Sequence, residues 1–464
     1  MMNLPEDFIR ETRQLMGEER FNRYLGAFEE EAPVSIRLNS TLYTLNSKLN
    51  IVPWCPEGFY LEGRPQFTFD PLFHAGCYYV QEAASMFVCH ILRELISGQW
   101  TVDSYDYQTS PDKTNANKIG VQGNHNCPLS TINYQHVLDL CAAPGGKSTA
   151  MRSVLPEDCV LVSNEPVPTR AQILLENITK WGAPNCIVTN NYPRDFKKAK
   201  AKFDLILCDV PCSGEGMFRK DPATISEWSL QNVEKCWRLQ REIVSDAWEC
   251  LNPGGIMIYS TCTFNTKENE ENVRWIIEQF DAEPLDIPTE PSWNITGSLL
   301  PGFDAPVYRF IPGITKGEGL FVCALRKQVD SGQCIVDSYD YQTNPDKTNV
   351  KKTSVQSNHN CPLSTIHSKL RVLTPDLPQG DFPRVDLSYS EALKYLRGEA
   401  LVLPADTPRG FVTVTYKGVA LGPVKNIGNR ANNLYPKPWR IKTTHLPTEP
   451  VEILSKIYSL QSKL

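Results

Sequence analysis

Val137–Thr149 reads VLDLCAAPGGKST, and the organisation of the whole chain can be worked outward from it. An apolar run opening on Val137 and Leu138 ends on Asp139 and breaks at once into small residues with Pro144, Gly145 and Gly146. This is the pattern of a buried strand, a tight turn and a helix start. Gly145 and Gly146 lack the β-carbon that would hold a ligand off the backbone, and the next helix begins with free N–H groups and a positive dipole end. Such a turn suits a nucleotide-like cofactor. The tail GGKST imitates a phosphate-binding loop, but G-x-x-x-x-G-K-[ST] puts its first glycine where this chain has Cys141, so that cradle is incomplete. The dinucleotide fingerprint G-x-G-x-x-G is absent as well, and a plain structural turn stays open from this stretch alone.

Downstream, apolar strands alternate with amphipathic helices as far as Lys327. CVLVSNE, NCIVTNN, FDLILCDVPC, GIMIYSTC and GLFVCAL read as strands, with helices over 169–180, 229–251 and 267–280. Continuous apolar strands separated by helices predict a mostly parallel sheet covered on both faces, with ligands at the carboxyl ends of its strands. Asp139, Glu165, Asn190, Asp209 and Cys262 fall there. Glu165, one βα unit past the glycine turn, stands where an acidic residue accepts ribose hydroxyls, which selects an adenosine-type cofactor. Cys212 in DVPCSGEG and Cys262 in YSTCTFN both sit at strand ends, near Lys147 and helix N-termini, where a thiol can be lowered in pKa and act as a nucleophile. Either cysteine alone reads equally well as a packed thiol.

Upstream, residues 3–31 carry Phe8, Leu15, Met16, Phe21, Tyr24, Leu25 and Phe28 at helical spacing. Ser35–Ser40, SIRLNS, alternates like a strand and is expected to expose Arg37 and Asn39 on a solvated face. Residues 53–76 are rich in Pro, Gly and aromatics, and helical periodicity is expected to resume at YYVQEAASM (Tyr78–Met86) and run to Ile96. The polar stretch Asp103–Ile132 recurs at Asp337–Ile366 with six differences over thirty positions, and neither copy can bury much apolar surface. Both stand at element boundaries, where long insertions are tolerated. Beyond Arg371, ALVLP, GFVTVTYKG and VALGPVK predict a small β-rich domain.

A chain of 464 residues, 41% hydrophobic and 22% charged, predicts two or three soluble domains. No run is long enough for a membrane span and the N-terminus is not a signal peptide, so a cytoplasmic protein is expected. Fifteen scattered cysteines with no C-x-x-C argue against both disulfides and a metal site. The net charge of −6 is unfavourable for nucleic acid on average, but RDFKKAKAK (Arg194–Lys202), KNIGNR (Lys425–Arg430) and KPWRIK (Lys437–Lys442) are local basic clusters.

LDLCAAPGGKS, DVPCSGEG and YSTCTFN in this order, with QEAASM before and GLFVCAL after, resemble the Nop/Sun family of S-adenosylmethionine-dependent RNA cytosine-5 methyltransferases. The nearest resemblance is to bacterial 16S ribosomal RNA enzymes with a PUA-like C-terminal domain, and it covers nearly all of the chain apart from the two polar copies. It implies an α/β, Rossmann-like methyltransferase with a mostly parallel sheet at 71–329, interrupted by a polar insertion at 102–133. A small N-terminal α+β RNA-binding region at 1–70 precedes it. A polar linker at 330–367 and a PUA-like RNA-binding domain at 368–464 follow. The implied partner is ribosomal RNA of the small subunit, with neither DNA nor membrane, and the chain is expected to act as a monomer.

By the same resemblance, Cys262 attacks carbon 6 of a cytosine, Asp209 binds the polar edge of the base with Lys147 nearby, and Cys212 assists loss of the carbon 5 proton. S-adenosyl-L-methionine would be held by Cys141, Ala142, Ala143, Pro144, Gly145, Gly146 and Lys147, together with Glu165, Arg170, Asn190 and Asp209. No metal is implied. Spacing alone does not rank the two cysteines. The chain departs from the family after the third strand, where Tyr192 replaces the usual aspartate, so the adenine contact is expected either to be weaker or to pass to Asn190 or Asn191. The alternative function is an RNA-binding ribosome-assembly factor that keeps the fold without turnover.

Overall fold

The computed structural model describes residues 4–42, 50–97, 134–329, 366, 368–443 and 445–455; apart from Ile366, the two polar copies lie outside them. Helices α1 (Glu6–Met16) and α2 (Glu18–Gly26) are separated by Gly17 at φ +74°, a left-handed turn that glycine adopts without strain. Their apolar stripe of Phe8, Met16, Phe21 and Tyr24 is buried against Trp228 and against Phe218 and Phe264, which follow Cys212 and Cys262 in their loops. A four-stranded antiparallel sheet follows, built from β1 (Val34–Leu38), β2 (Ile51–Val52), β3 (Cys55–Leu61) and β4 (Tyr78–Val80) in the order β2-β3-β1-β4. Asp70 caps the short helix α3 (Pro71–His74) through the amide of Leu72, and α4 (Phe87–Ser97) leads toward the main sheet.

Two expectations fail here. Tyr78–Val80 is a strand paired with β1, and helical structure begins only at Ala84, with a 3-10 turn (Ala84–Met86) that runs into α4. Arg37 and Asn39 are 0% and 1% exposed instead of lying on a solvated face. The Arg37 guanidinium donates to Gln81 Oε1 at 2.8 Å, Thr149 Oγ1 at 2.6 Å and Ser153 Oγ at 3.0 Å, and lies over the Trp181 ring at 4.4 Å. Alternation fixes which residues share a face of a strand but not what covers that face, and here the main domain covers it.

The main sheet takes the order β10-β12-β9-β8-β5-β6-β7-β13, with β11 on β12. Strands β5 (His136–Asp139), β6 (Val160–Asn164), β7 (Cys186–Thr189), β8 (Phe203–Asp209) and β9 (Leu251–Thr261) are parallel. The antiparallel strands β10 (Ala282–Leu285), β11 (Tyr308–Phe310) and β12 (Leu320–Lys327) extend one edge, and β13 (Val372–Leu373) closes the other. Helices α5 (Gly146–Arg152), α6 (Pro168–Trp181), α7 (Pro193–Ala199), α8 (Ala223–Glu227), α9 (Leu230–Cys250) and α10 (Glu270–Phe280) connect them. Leu138, Val162, Phe203, Ile206 and Met257 belong to one core cluster, and Val137, Leu161, Leu205 and Ile258 to another, as strands covered on both faces require. The chain reverses direction across the sheet between β5 and β8, and a crevice opens at the carboxyl ends of strands at such a point.

The C-terminal unit contains β14 (Arg384–Asp386), α11 (Tyr389–Leu396), β15 (Gly410–Tyr416), β16 (Val419–Asn426) and β17 (Ala431–Asn433), paired in that strand order. The ALVLP stretch supplies only an isolated bridge from Leu401 to Ala431. Leu393, Tyr395, Val412 and Val424 share a core cluster with Ile36, Leu38, Phe59 and Tyr78, so this unit docks on the N-terminal sheet. Among the described residues no helix is long and apolar enough to cross a membrane.

Candidate active site

The glycine turn leaves β5 at Asp139 and enters α5 at Gly146, and its shape is set by Gly145 at φ +113°, where a β-carbon would also stand 3.2 Å from Leu174. Its carbonyls are pinned from outside. Ala143 O accepts from Arg170 Nη2 at 3.0 Å, Pro144 O accepts from Asn177 Nδ2 at 2.8 Å, and the Ala142 amide donates to Asn164 O at 2.8 Å. The first amides of α5 have no partner within the helix and face outward from its N-terminus. Cys141 is pressed behind the turn, where burial pushes its thiol pKa up.

Two carboxylates stand beside this turn with spare acceptors. Asp139 Oδ2 accepts from Ser148 Oγ at 2.6 Å, while its Oδ1 is buried without a hydrogen-bond partner, and burial pushes the group up to about 7. Glu165 Oε1 caps the Val167 amide at 2.9 Å; its Oε2 is also buried without a hydrogen bond, with Arg170 Nη1 at 3.5 Å. Asn190 spends its amide hydrogens on the carbonyls of Glu165 and Pro166 at 2.8 and 3.0 Å, which aims its oxygen away from them. Asn191 is instead tied to the Arg371 backbone, and Tyr192 is 57% exposed under Arg194. The departure at Tyr192 thus leaves Asn190 as the polar group on that side of the cradle.

The second half of the site lies at the ends of β8 and β9. Asp209 Oδ2 is bonded to Lys147 Nζ at 2.9 Å and its Oδ1 accepts from Ser260 Oγ at 2.7 Å. Burial opposes the Lys147 charge, yet the charge and hydrogen bond of Asp209 outweigh it, and the lysine pKa is raised. Cys262 lies 3.2 Å from Cys212, sulfur to sulfur, and its amide donates to Cys212 Sγ at 3.3 Å. The hydrogen bond to Cys262 and burial push the Cys212 thiol well above its usual value. The structure therefore brings the turn, Glu165, Arg170, Asn190, Asp209, Lys147 and both cysteines to one rim of the sheet. No group of three metal-ligating side chains occurs among the described residues.

Sequence reading passed over Ser148, Ser260 and, behind the cysteines, Glu215, Asn265 and Glu268. Glu215 lies inside the DVPCSGEG motif, but an acidic residue is ordinarily a surface residue and nothing local shows that the fold buries it.

These features define a Rossmann-like methyltransferase fold. A methyltransferase homologue from Pyrococcus horikoshii superposes with TM-score 0.50 at 24% identity, covering 70% of this chain and 100% of that one. NSun6 from the same organism, solved with SFG, superposes with TM-score 0.52 at 19% identity, covering 70% and 99%. Residues 4–83 match the N-terminal domain of 16S rRNA methyltransferase RsmF, residues 127–326 match 16S rRNA methyltransferase RsmB/F, and residues 382–441 match the methyltransferase RsmF PUA domain. Along these three segments the chain is similar to the RsmB/F methyltransferases. Ribosomal RNA small subunit methyltransferase F of Pectobacterium atrosepticum is 31% identical over 346 residues, 70% of this chain and 63% of that protein. The chain thus spans just under two thirds of that relative. The Cronobacter sakazakii protein of the same name is 27% identical over 508 residues, covering 94% and 96%.

Proposed function

We propose that this protein transfers a methyl group from S-adenosylmethionine to carbon 5 of a cytosine in small-subunit ribosomal RNA. The observation that carries this reading is the pair of thiols 3.2 Å apart beside the Lys147–Asp209 pair, at the rim of a nucleotide-type cradle. The cradle fits the cofactor. Asp139 Oδ1 and Glu165 Oε2, buried acceptors without hydrogen-bond partners, suit an ammonium and ribose hydroxyls, and Asn190 offers an oxygen toward an adenine amine. When bound, S-adenosylmethionine supplies an electrophilic methyl group on a sulfonium.

The chain's own residues do the rest. Cys262, its proton given up to solvent, adds as the thiolate to carbon 6, and the electrons of the 5,6 double bond make carbon 5 nucleophilic. Asp209 binds the polar edge of the base, while the Lys147 ammonium offsets the charge gathering on the ring. Once Cys262 is bonded to carbon, the sulfur charge and hydrogen bond that hold the Cys212 proton are gone, so the Cys212 thiol can ionise and take the proton from carbon 5. The C–H electrons re-form the double bond and expel Cys262 as a thiolate.

The N-terminal region 1–70 and the C-terminal domain 368–464 are proposed to hold the RNA; Lys425 and Arg430 are among the exposed cations of the latter. RNA carrying tritium at carbon 5 of cytosine tests the reaction. Tritium is expected to enter water in equal amount to the methyl groups transferred. Methyl transfer without tritium release would place the methyl elsewhere.

A further inference from the structure

Behind the two thiols lies a set of buried polar side chains that the reaction does not use. Glu215 follows Cys212 in the motif and Glu268 follows Cys262, and they are 2% and 0% exposed. Each carboxylate reaches across to the other cysteine's loop. Glu215 Oε2 accepts the amides of Phe264 at 2.7 Å and Asn265 at 2.9 Å, both just past Cys262. Glu268 Oε2 accepts the amide of Ser213, the residue directly after Cys212, at 3.0 Å, and Gln240 Nε2 at 2.7 Å. The Asn265 amide group joins the two, donating to Glu215 Oε1 at 3.1 Å and to Glu268 Oε1 at 2.8 Å.

Trp228 Nε1 is a further donor to Glu215, at 2.9 Å. Backbone N–H, indole N–H and amide NH₂ can only donate, so the Glu215 carboxylate accepts from four donors. Placing a second carboxylate beside it is costly: burial and the Glu215 charge push Glu268 up to about 7. Apolar side chains of similar size would fill this space more cheaply. The arrangement is better accounted for by what it holds in place.

We propose that Glu215, Glu268 and Asn265 are positioning residues that clamp the two loops together and hold the Cys212 and Cys262 sulfurs at 3.2 Å. This rests on the reading of the two thiols as a working pair. The clamp explains why each carboxylate is carried by one loop and satisfied by the other, since only reciprocal crossing fixes both loops at once.

Diamide, which takes two electrons and two protons from thiols that meet and leaves a disulfide, reads the sulfur separation without requiring any methylation. In the full-length protein, Glu215→Gln, Glu268→Gln and Asn265→Ala should each slow formation of the Cys212–Cys262 disulfide about tenfold or more, measured by peptide mass spectrometry. The same variants should lose about a hundredfold in kcat, as misplacement by about 1 Å does, while KM for RNA moves about twofold at most. If loss of a buried charge unfolds the glutamate variants, Asn265→Ala, which leaves both carboxylates in place, decides the matter. Unchanged disulfide formation in a folded variant, whatever its activity, overturns the clamp, and so does a wild-type protein in which the two sulfurs never join. Clamp-dependent joining in a protein that releases no tritium from cytosine would overturn the proposed reaction and leave the clamp standing.

Discussion

At the scale of single residues, the proposed reaction gives the two cysteines different parts of one cycle, and their surroundings differ. Cys262 stands within reach of the Lys147 charge, while Cys212 keeps its proton against Cys262. Cys262→Ala is expected to bind RNA and cofactor and to form no adduct that survives denaturing electrophoresis. Cys212→Ala is expected to methylate once and then stall as a covalent protein–RNA complex, because carbon 5 keeps its proton. A denaturant-stable complex with Cys262→Ala would reverse the assignment. Asp139 yields a second expectation. With its pKa near 7, its carboxyl is increasingly protonated below that pH and no longer attracts an ammonium. Affinity for S-adenosylmethionine should therefore fall as pH drops from about 8 to 6, by roughly tenfold per unit on the acid side. Asp139→Asn should remove the slope in a calorimetric series, and an equal slope in that variant would count against Asp139. The strand-end placement of both thiols and Glu165 was legible in the sequence because an apolar strand followed by a tight turn is a local pattern. Glu215 and Glu268 were not, because residue type predicts exposure and burial is a property of the whole fold.

At the scale of elements, the cysteine loops are closed by backbone contact as well as by side chains. The Gly216 amide donates to Cys262 O at 2.8 Å, and Gly319, entering β12, lies so near that a β-carbon on Gly216 would stand 2.6 Å from its Cα. Gly216→Ala must push two backbones apart, costing about 1–3 kcal/mol of stability, with a larger loss in turnover than in folding. Gly297→Ala, with nothing within 4 Å of the new carbon, is the control and should stay within about 0.5 kcal/mol. Full kcat in Gly216→Ala at normal stability would show that this approach is not needed. Helix and strand boundaries were largely readable. The helix read at 169–180 spans Pro168–Trp181, and the one read at 229–251 spans Leu230–Cys250, because both have long apolar stripes and clear ends, Pro168 and Gly182 for the first and the Ser229 cap for the second. Short apolar runs were less so. YYV gave a strand where helix periodicity was read, since a few residues fit either period.

At the scale of the molecule, Arg37 joins the N-terminal sheet to α5 and to the ring of Trp181 at the end of α6. Replacing it by alanine removes three side-chain hydrogen bonds and a buried stack, and the denaturant midpoint should drop by the equivalent of about 3 kcal/mol. A loss below about 1 kcal/mol would mean that the two parts are held by apolar contact alone. The sequence by itself determined the parallel core, the glycine turn, the order of the three motifs and the polar character of the repeated segment. Apolar periodicity, glycine geometry and strand-end chemistry are local and survive in one dimension. The tertiary structure alone decided that Arg37 is buried, that the C-terminal unit shares its core with the N-terminal sheet, and that two thiols fifty residues apart meet sulfur to sulfur. Those facts depend on which surfaces cover one another. They are set by the summed burial of many weak contacts between distant segments, which no local pattern encodes.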